Sequence, residues 1–169
     1  MGTSPDIDPG SAPFRTTEIG PLTRDRVEAF LTANGWTYGI DPDGDVGGQW
    51  DDNLFYFLRM GEAHEVLQVR GQWKQPVPLH REAELLRVLN QLNGDLVWPK
   101  LYVRAEDDAL VVYSEVSTDL EHGVSDDQLG QLLACGLFTG LKAFEHLGDL
   151  LGLAPVASPE GHDAETVSR

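Results

Sequence analysis

The residues of this chain best placed to do chemistry are four aspartates at fixed spacing. Asp41, Asp43, Asp45 and Asp52 fall at the first, third, fifth and twelfth places of a frame that matches the ligand spacing of an EF-hand calcium loop. The rest of the frame does not suit the ion. The sixth place calls for glycine and holds Val46, and the twelfth calls for the longer glutamate and holds Asp52. The flanks read as strands, where a calcium loop would be bracketed by helices. A solvated acidic hairpin is the expected role, with calcium or small-ligand sensing as the alternative. The histidines, His64, His80, His122, His146 and His162, are dispersed, and no pair has zinc-ligand spacing. Cys135 lies among Leu132, Leu133, Ala134, Leu137 and Phe138. Apolar surroundings raise a thiol pKa and suppress its reactivity. No phosphate loop, dinucleotide fingerprint or nucleophile elbow is found. The expectation is a non-enzymatic protein with no catalytic residue, no metal and no cofactor.

Composition narrows the partners. The chain has 169 residues, 28 Asp and Glu against 12 Lys and Arg, and a formal charge of −16. Phosphate binding needs clustered cations, so nucleic acid is excluded as a partner, and so is an anionic membrane surface. Hydrophobic residues make up 41 %, enough for one globular domain with a real core. A single cysteine rules out an intrachain disulfide scaffold. The segment 1–13 lacks an apolar stretch, and Lys142, Glu145 and Asp149 interrupt the apolar run of 129–153. Neither a signal peptide nor a membrane-spanning helix is expected, and a cytoplasmic setting follows.

The elements that must position these residues can be read from period and caps. Residues 1–20 and 154–169 are rich in Pro, Gly, Ser and acids and read as disordered tails around a domain of 21–153. Thr23 is a plausible N-cap for a first helix that ends at Asn34-Gly35. Strands are expected over 36–40, 46–50, 54–60 and 65–73. Pro76 and Pro78 are expected to block further pairing. Leu85, Leu86, Leu89 and Leu92 recur at helical spacing, and Gly94 should close that helix. A hairpin over 101–104 and 110–116 follows. Ser125-Asp-Asp-Gln128 is a capping box that opens the last helix. The order is α-β-β-(β)-α-β-β-α. It is an α+β sandwich with one antiparallel sheet and helices packed on it.

Two features suggest contact surfaces. Strand residues Trp50, Phe55, Phe57 and Trp73, with Trp98 before a proline, could offer apolar area to a partner. In Leu54–Leu58 every residue is apolar or aromatic, so both sheet faces should be apolar there. Gly136-x-x-x-Gly140 permits close backbone approach, either by helix on sheet within the chain or across a dimer seam.

A combination of short motifs carries a resemblance. Asn90-x-x-Asn93 is followed by Trp98-Pro99-Lys100, then by Glu115 and by Gly123-Val-Ser. This pattern resembles the YbjN family of bacterial sensory transduction regulators, in particular its actinobacterial branch, over about 21–151. The resemblance implies a fold similar to that of type III secretion chaperones. Those are small, acidic, usually dimeric proteins that hold an extended partner segment on apolar surface. It implies regulation, a protein or peptide partner, a homodimer and no catalytic residue to carry over. The motif also has a physical reading. Asn93-Gly94 suits a helix C-cap, Pro99 holds Trp98 extended, and Glu115 can pair with Lys100 or Arg104 across a hairpin.

Overall fold

The computed structural model describes residues 18–153. The tails expected to be disordered lie almost wholly outside the described residues. The exception is the boundary itself. Gly20 forms an antiparallel bridge with Val124, N–H to carbonyl in both directions at 3.2 and 2.8 Å.

Local chemistry sets the helix ends. In α1 (Arg24–Ala33) the Thr23 hydroxyl accepts from the Arg26 amide. In α3 (Asp126–Leu151) the Ser125 hydroxyl accepts from the Gln128 amide at 3.2 Å, and the Gln128 side chain accepts from the Ser125 amide at 3.1 Å. Each exchange satisfies an amide that the first helical turn leaves without an intrahelical partner. The middle helix, α2 (Glu82–Asp95), differs from expectation. It runs through Gly94 and stops at an extended Leu96, so Asn93-Gly94 is helix interior and not a cap.

The strands are β1 (Gly39–Ile40), β2 (Val46–Trp50), β3 (Asn53–Met60), β4 (Val66–Gln72), β5 (Val77–Pro78), β6 (Lys100–Glu106) and β7 (Ala109–Asp119). They form one antiparallel sheet. The order runs β1-β2-β3-β4-β7, with β6 on the far side of β7 and β5 pairing the start of β7. Residues 36–38 of the first expected strand stay outside the ladder. The pair Val77–Pro78 joins it despite the prolines, because Val77 sits opposite Leu110 and Pro78 opposite Ala109. Bonded positions alternate along an antiparallel ladder, so the imide nitrogen of Pro78 falls where no ladder donor is needed.

All three helices contact sheet strands, and α3 packs between α1 and α2. The closeness of α3 to the sheet comes from its glycines. A Cβ on Gly136 would lie 2.5 Å from Cβ of Val69, and one on Gly140 would lie 2.8 Å from Cε1 of Phe55. The Gly136/Gly140 pair therefore serves packing of helix on sheet within the chain.

Candidate functional site

Four of the five candidate aromatics are core. Trp50, Phe55, Phe57 and Trp73 are all buried. They form an edge-to-face and stacked cluster in which Trp50 meets Phe57 at 5.8 Å, Phe55 meets Phe144 at 6.0 Å and Trp73 meets Phe144 at 6.4 Å. Packed in this way they present no broad surface to a partner, which corrects the expectation placed on them. Strand alternation is the reason. Phe55 and Phe57 turn toward the helices, while Leu54, Tyr56 and Leu58 face the other side. That outer face is not bare hydrocarbon either. The ladder sets Tyr56, Arg70, Glu115 and Lys100 in one row across it.

Trp98 is the exception, with 54 % of its surface exposed. It stands between two clefts. One, of about 490 Å³, is lined by Leu96, Trp98, Phe138 and Ala143 with Thr139, Lys142, Glu145, His146 and Asp149. The other, of about 430 Å³, runs past Asn93, Val97 and Pro99 to Lys100, Glu115 and Ser117. A third cleft, also about 430 Å³, shares Phe138, Lys142, Glu145 and Asp149 with the first and reaches Trp73, Lys74 and Leu153. Apolar floor and charged rim thus follow the outward stripe of α3. That stripe recurs at 138, 142, 145 and 149, a helical spacing legible in the sequence but overshadowed by the buried stripe beside it.

The motif residues build the loop that carries Trp98. The Asn93 side chain donates to the carbonyl of Leu101 at 2.9 Å and accepts from its amide at 2.8 Å. In doing so it imitates a neighbouring strand. Pro99 is buried behind Trp98, and the Trp98–Pro99 bond is cis. Lys100 and Glu115 are direct cross-strand partners, paired at 2.6 Å. Burial pushes the Glu115 carboxyl up, but the Lys100 ammonium, with Ser117 and Arg70, outweighs it and holds the group below the ordinary glutamate range. Asn90 lies exposed on α2. Gly123 has φ +87°, and a Cβ there would lie 2.7 Å from Ile19 and 3.0 Å from the Gly20 carbonyl, so this glycine admits the Gly20–Val124 bridge.

Other groups have defined environments. Burial, and then hydrogen bonding to Glu106, pushes the Tyr113 hydroxyl up to about 12. Burial raises the Cys135 thiol as well, in line with the apolar setting read from its neighbours. In the rim of the first cleft, the hydrogen bond to Lys142 holds the Glu145 carboxyl down.

The four aspartates are not brought together. The Asp41 carboxylate accepts from the amides of Asp43 and Asp45 at 3.0 and 2.9 Å, which closes the β1–β2 turn. Asp52 lies at the other end of β2, in the β2–β3 turn, paired with Lys74 at 3.3 Å. Five strand residues separate the two turns by roughly 16 Å, too far for one ion. Among the described residues no group of three or more His, Cys, Asp or Glu side chains is placed to hold a metal. Among those residues no helix is long and apolar enough to cross a membrane.

Comparison with known proteins agrees with this architecture. No curated protein matches the chain by sequence. The solved structure of YbjN from E. coli is similar to it with a TM-score of 0.67 at 11 % identity, over 78 % of this chain and 96 % of that one. At that identity the likeness shows the fold. The family model for YbjN, described as "Putative bacterial sensory transduction regulator", matches residues 23–149. With that span covering most of the chain, and with the motif residues placed around one loop, the protein belongs to the YbjN family.

Proposed function

We propose that the protein is a non-enzymatic regulatory module that captures a segment of a partner protein at the clefts flanking Trp98. The observation that carries the reading is the exposure of Trp98, the one candidate aromatic left outside the core, between two clefts with apolar floors. An indole of this size supplies contact area at about 25 cal/mol per Å² buried, before ordering costs. The rim supplies selectivity. Asp149 borders the first cleft beside the Lys142–Glu145 pair, the Lys100–Glu115 pair borders the second, and the chain as a whole carries −16. A segment with an apolar anchor and flanking Lys or Arg is the chemistry that suits it.

The chaperone-like analogy, the cytoplasmic setting and the actinobacterial affinity belong to the same proposal, as does association with a second copy. The family's description as a regulator supports the regulatory half. The test uses a fluorescein-labelled twelve-residue peptide of alternating Leu and Lys as probe and reads anisotropy. Wild type should bind it, and Trp98→Ser should weaken binding at least tenfold with an unchanged melting temperature. Equal binding by both proteins would overturn the reading.

A further inference from the structure

The loop that carries Trp98 is short and clipped at its base. The α2 helix ends where the Leu96 amide bonds the Leu92 carbonyl at 2.9 Å, and β6 begins at Lys100. Leu96 packs on the core and Pro99 is buried, while Val97 is 84 % and Trp98 54 % exposed. The clip is Asn93. Its side chain reaches from the last turn of α2 to both backbone groups of Leu101, at 2.9 and 2.8 Å. Leu101 faces Ser114 across the ladder, at a position whose N–H and C=O turn away from β7. A primary amide offers the donor and the acceptor that this open edge needs at once.

Asn93 is itself exposed. Water can replace both bonds when the amide is removed, so the fold survives its loss. What the amide supplies is constraint. Leu96 and Trp98 line both the first and the second cleft, and Asn93 borders the second. Without the clip the indole is free to leave its place between the clefts, and a partner would have to order it again on binding. Ordering of that kind subtracts from affinity.

We propose that Asn93 is a positioning residue: by clipping Leu101 to the end of α2 it holds the Trp98 indole between the two clefts, ready for capture. The proposal deepens the capture reading and rests on it. It also divides the family motif by task. Asn93 sets the loop and Trp98 makes the contact, while the Lys100–Glu115 pair closes the hairpin behind them.

The test uses the full chain with Asn93→Asp and Asn93→Ala, both still folded by urea unfolding. Asn93→Asp keeps the acceptor for the Leu101 amide and, while ionised, loses the donor to its carbonyl. At pH 8 the fluorescein-labelled Leu-Lys peptide should bind each variant at least fivefold more weakly than wild type. The new carboxylate borders the second cleft and by itself would favour a cationic probe, so a loss runs against simple charge attraction. Protonation returns a donor to the carboxyl, and a bond to the Leu101 carbonyl favours the protonated form. The ratio of wild-type to Asn93→Asp affinity should therefore narrow from pH 8 to pH 5, while the ratio for Asn93→Ala stays constant. The other charged groups on that cleft, Lys100 and Glu115, are common to all three proteins and drop out of the ratio. Acrylamide quenching reads the loop without the peptide. Trp36, Trp50 and Trp73 are at most 9 % exposed, so quenching reports Trp98, and its Stern–Volmer constant should rise by at least half in both variants. Wild-type affinity in both variants, unchanged quenching, or a constant ratio for Asn93→Asp would overturn the role of Asn93. A wild type that fails to bind the peptide would overturn the capture reading itself.

Discussion

Gly136 offers the sharpest test of how α3 rests on the sheet. Alanine there sets two effects against each other. Replacing glycine inside a helix gains about 1 kcal/mol, because glycine loses more backbone freedom on folding. The new methyl would, however, lie 2.5 Å from Cβ of Val69, where carbon atoms prefer about 3.5–4.0 Å. Helix and strand must part by more than 1 Å, or both side chains must strain. Overpacking of this kind costs about 1–3 kcal/mol. A shift of the helix would also disturb its close contacts with Phe30 of α1 at Gly130 and with Phe55 of β3 at Gly140. The cost should win, for a net loss of about 1 kcal/mol. Gly94→Ala is the control. Gly94 lies in α2 and a Cβ there meets nothing within 4 Å, so the substitution should stabilise by about 0.5 kcal/mol, less than the full propensity because it is near the helix end. Urea unfolding should show midpoints moving in opposite directions with equal slopes. If Gly136→Ala stabilised as much as Gly94→Ala, the close seat of α3 on β4 would be refuted. A change in molecular mass with no change in midpoint would instead reassign the glycine pair to a seam between copies.

Three further outcomes are expected. Arg26 bonds the Asp126 carboxylate at 2.7 and 2.9 Å and the carbonyls of Gly20, Pro21 and Val124. Arg26→Ala should therefore cost about 3 kcal/mol in urea unfolding, and a loss under 1 kcal/mol would show that the guanidinium ties nothing together. Tyr113 keeps its proton in the folded state up to about 12, while an unfolded tyrosine releases it near about 10. The folded state then holds the proton more tightly, so stability is full below the unfolded value and falls as pH rises from one value to the other. Tyr113→Phe should flatten that alkaline fall, and an identical fall in both proteins would refute the assignment. For Glu115, whose carboxyl is held down by Lys100 against the effect of burial, the sign is opposite. Its contribution is present above the ordinary glutamate value and is lost as pH drops through the lowered one. Glu115→Gln should shrink the acid limb of a stability–pH profile, and an unchanged limb would count against the Lys100–Glu115 pair.

What could be read from the sequence was local and periodic. The Ser125/Gln128 capping box, the Thr23 cap and the leucine stripes of α2 and α3 depend on neighbours within one helical turn, and all appear where the pattern puts them. Antiparallel pairing followed from short connections, and the hairpin left Lys100 and Arg104 as alternative partners of Glu115, of which the ladder register sets Lys100 opposite it. The motif that marks the family was legible too, although its mechanism was not. Asn93 looked like a cap because Gly94 follows it, yet its partner is Leu101, eight residues on, across a loop whose path only the packing of α2 on β6 sets. The same limit applies to the aromatics. Trp50, Phe55, Phe57, Trp73 and Trp98 are equal as residue types, and a linear pattern does not say which of them a helix will cover. Tertiary packing buried four beneath α3 and left Trp98 on a loop between clefts. It likewise sent Asp52 to the far end of β2 from Asp41, because even spacing along a chain becomes distance once the chain runs as an extended strand. Sequence alone determined the three helices, the longer strands and the motif of the family, whereas the short β5 exists only because β7 lies beside it. Which side chains remained available to a partner depended on how the three helices settled on one face of the sheet.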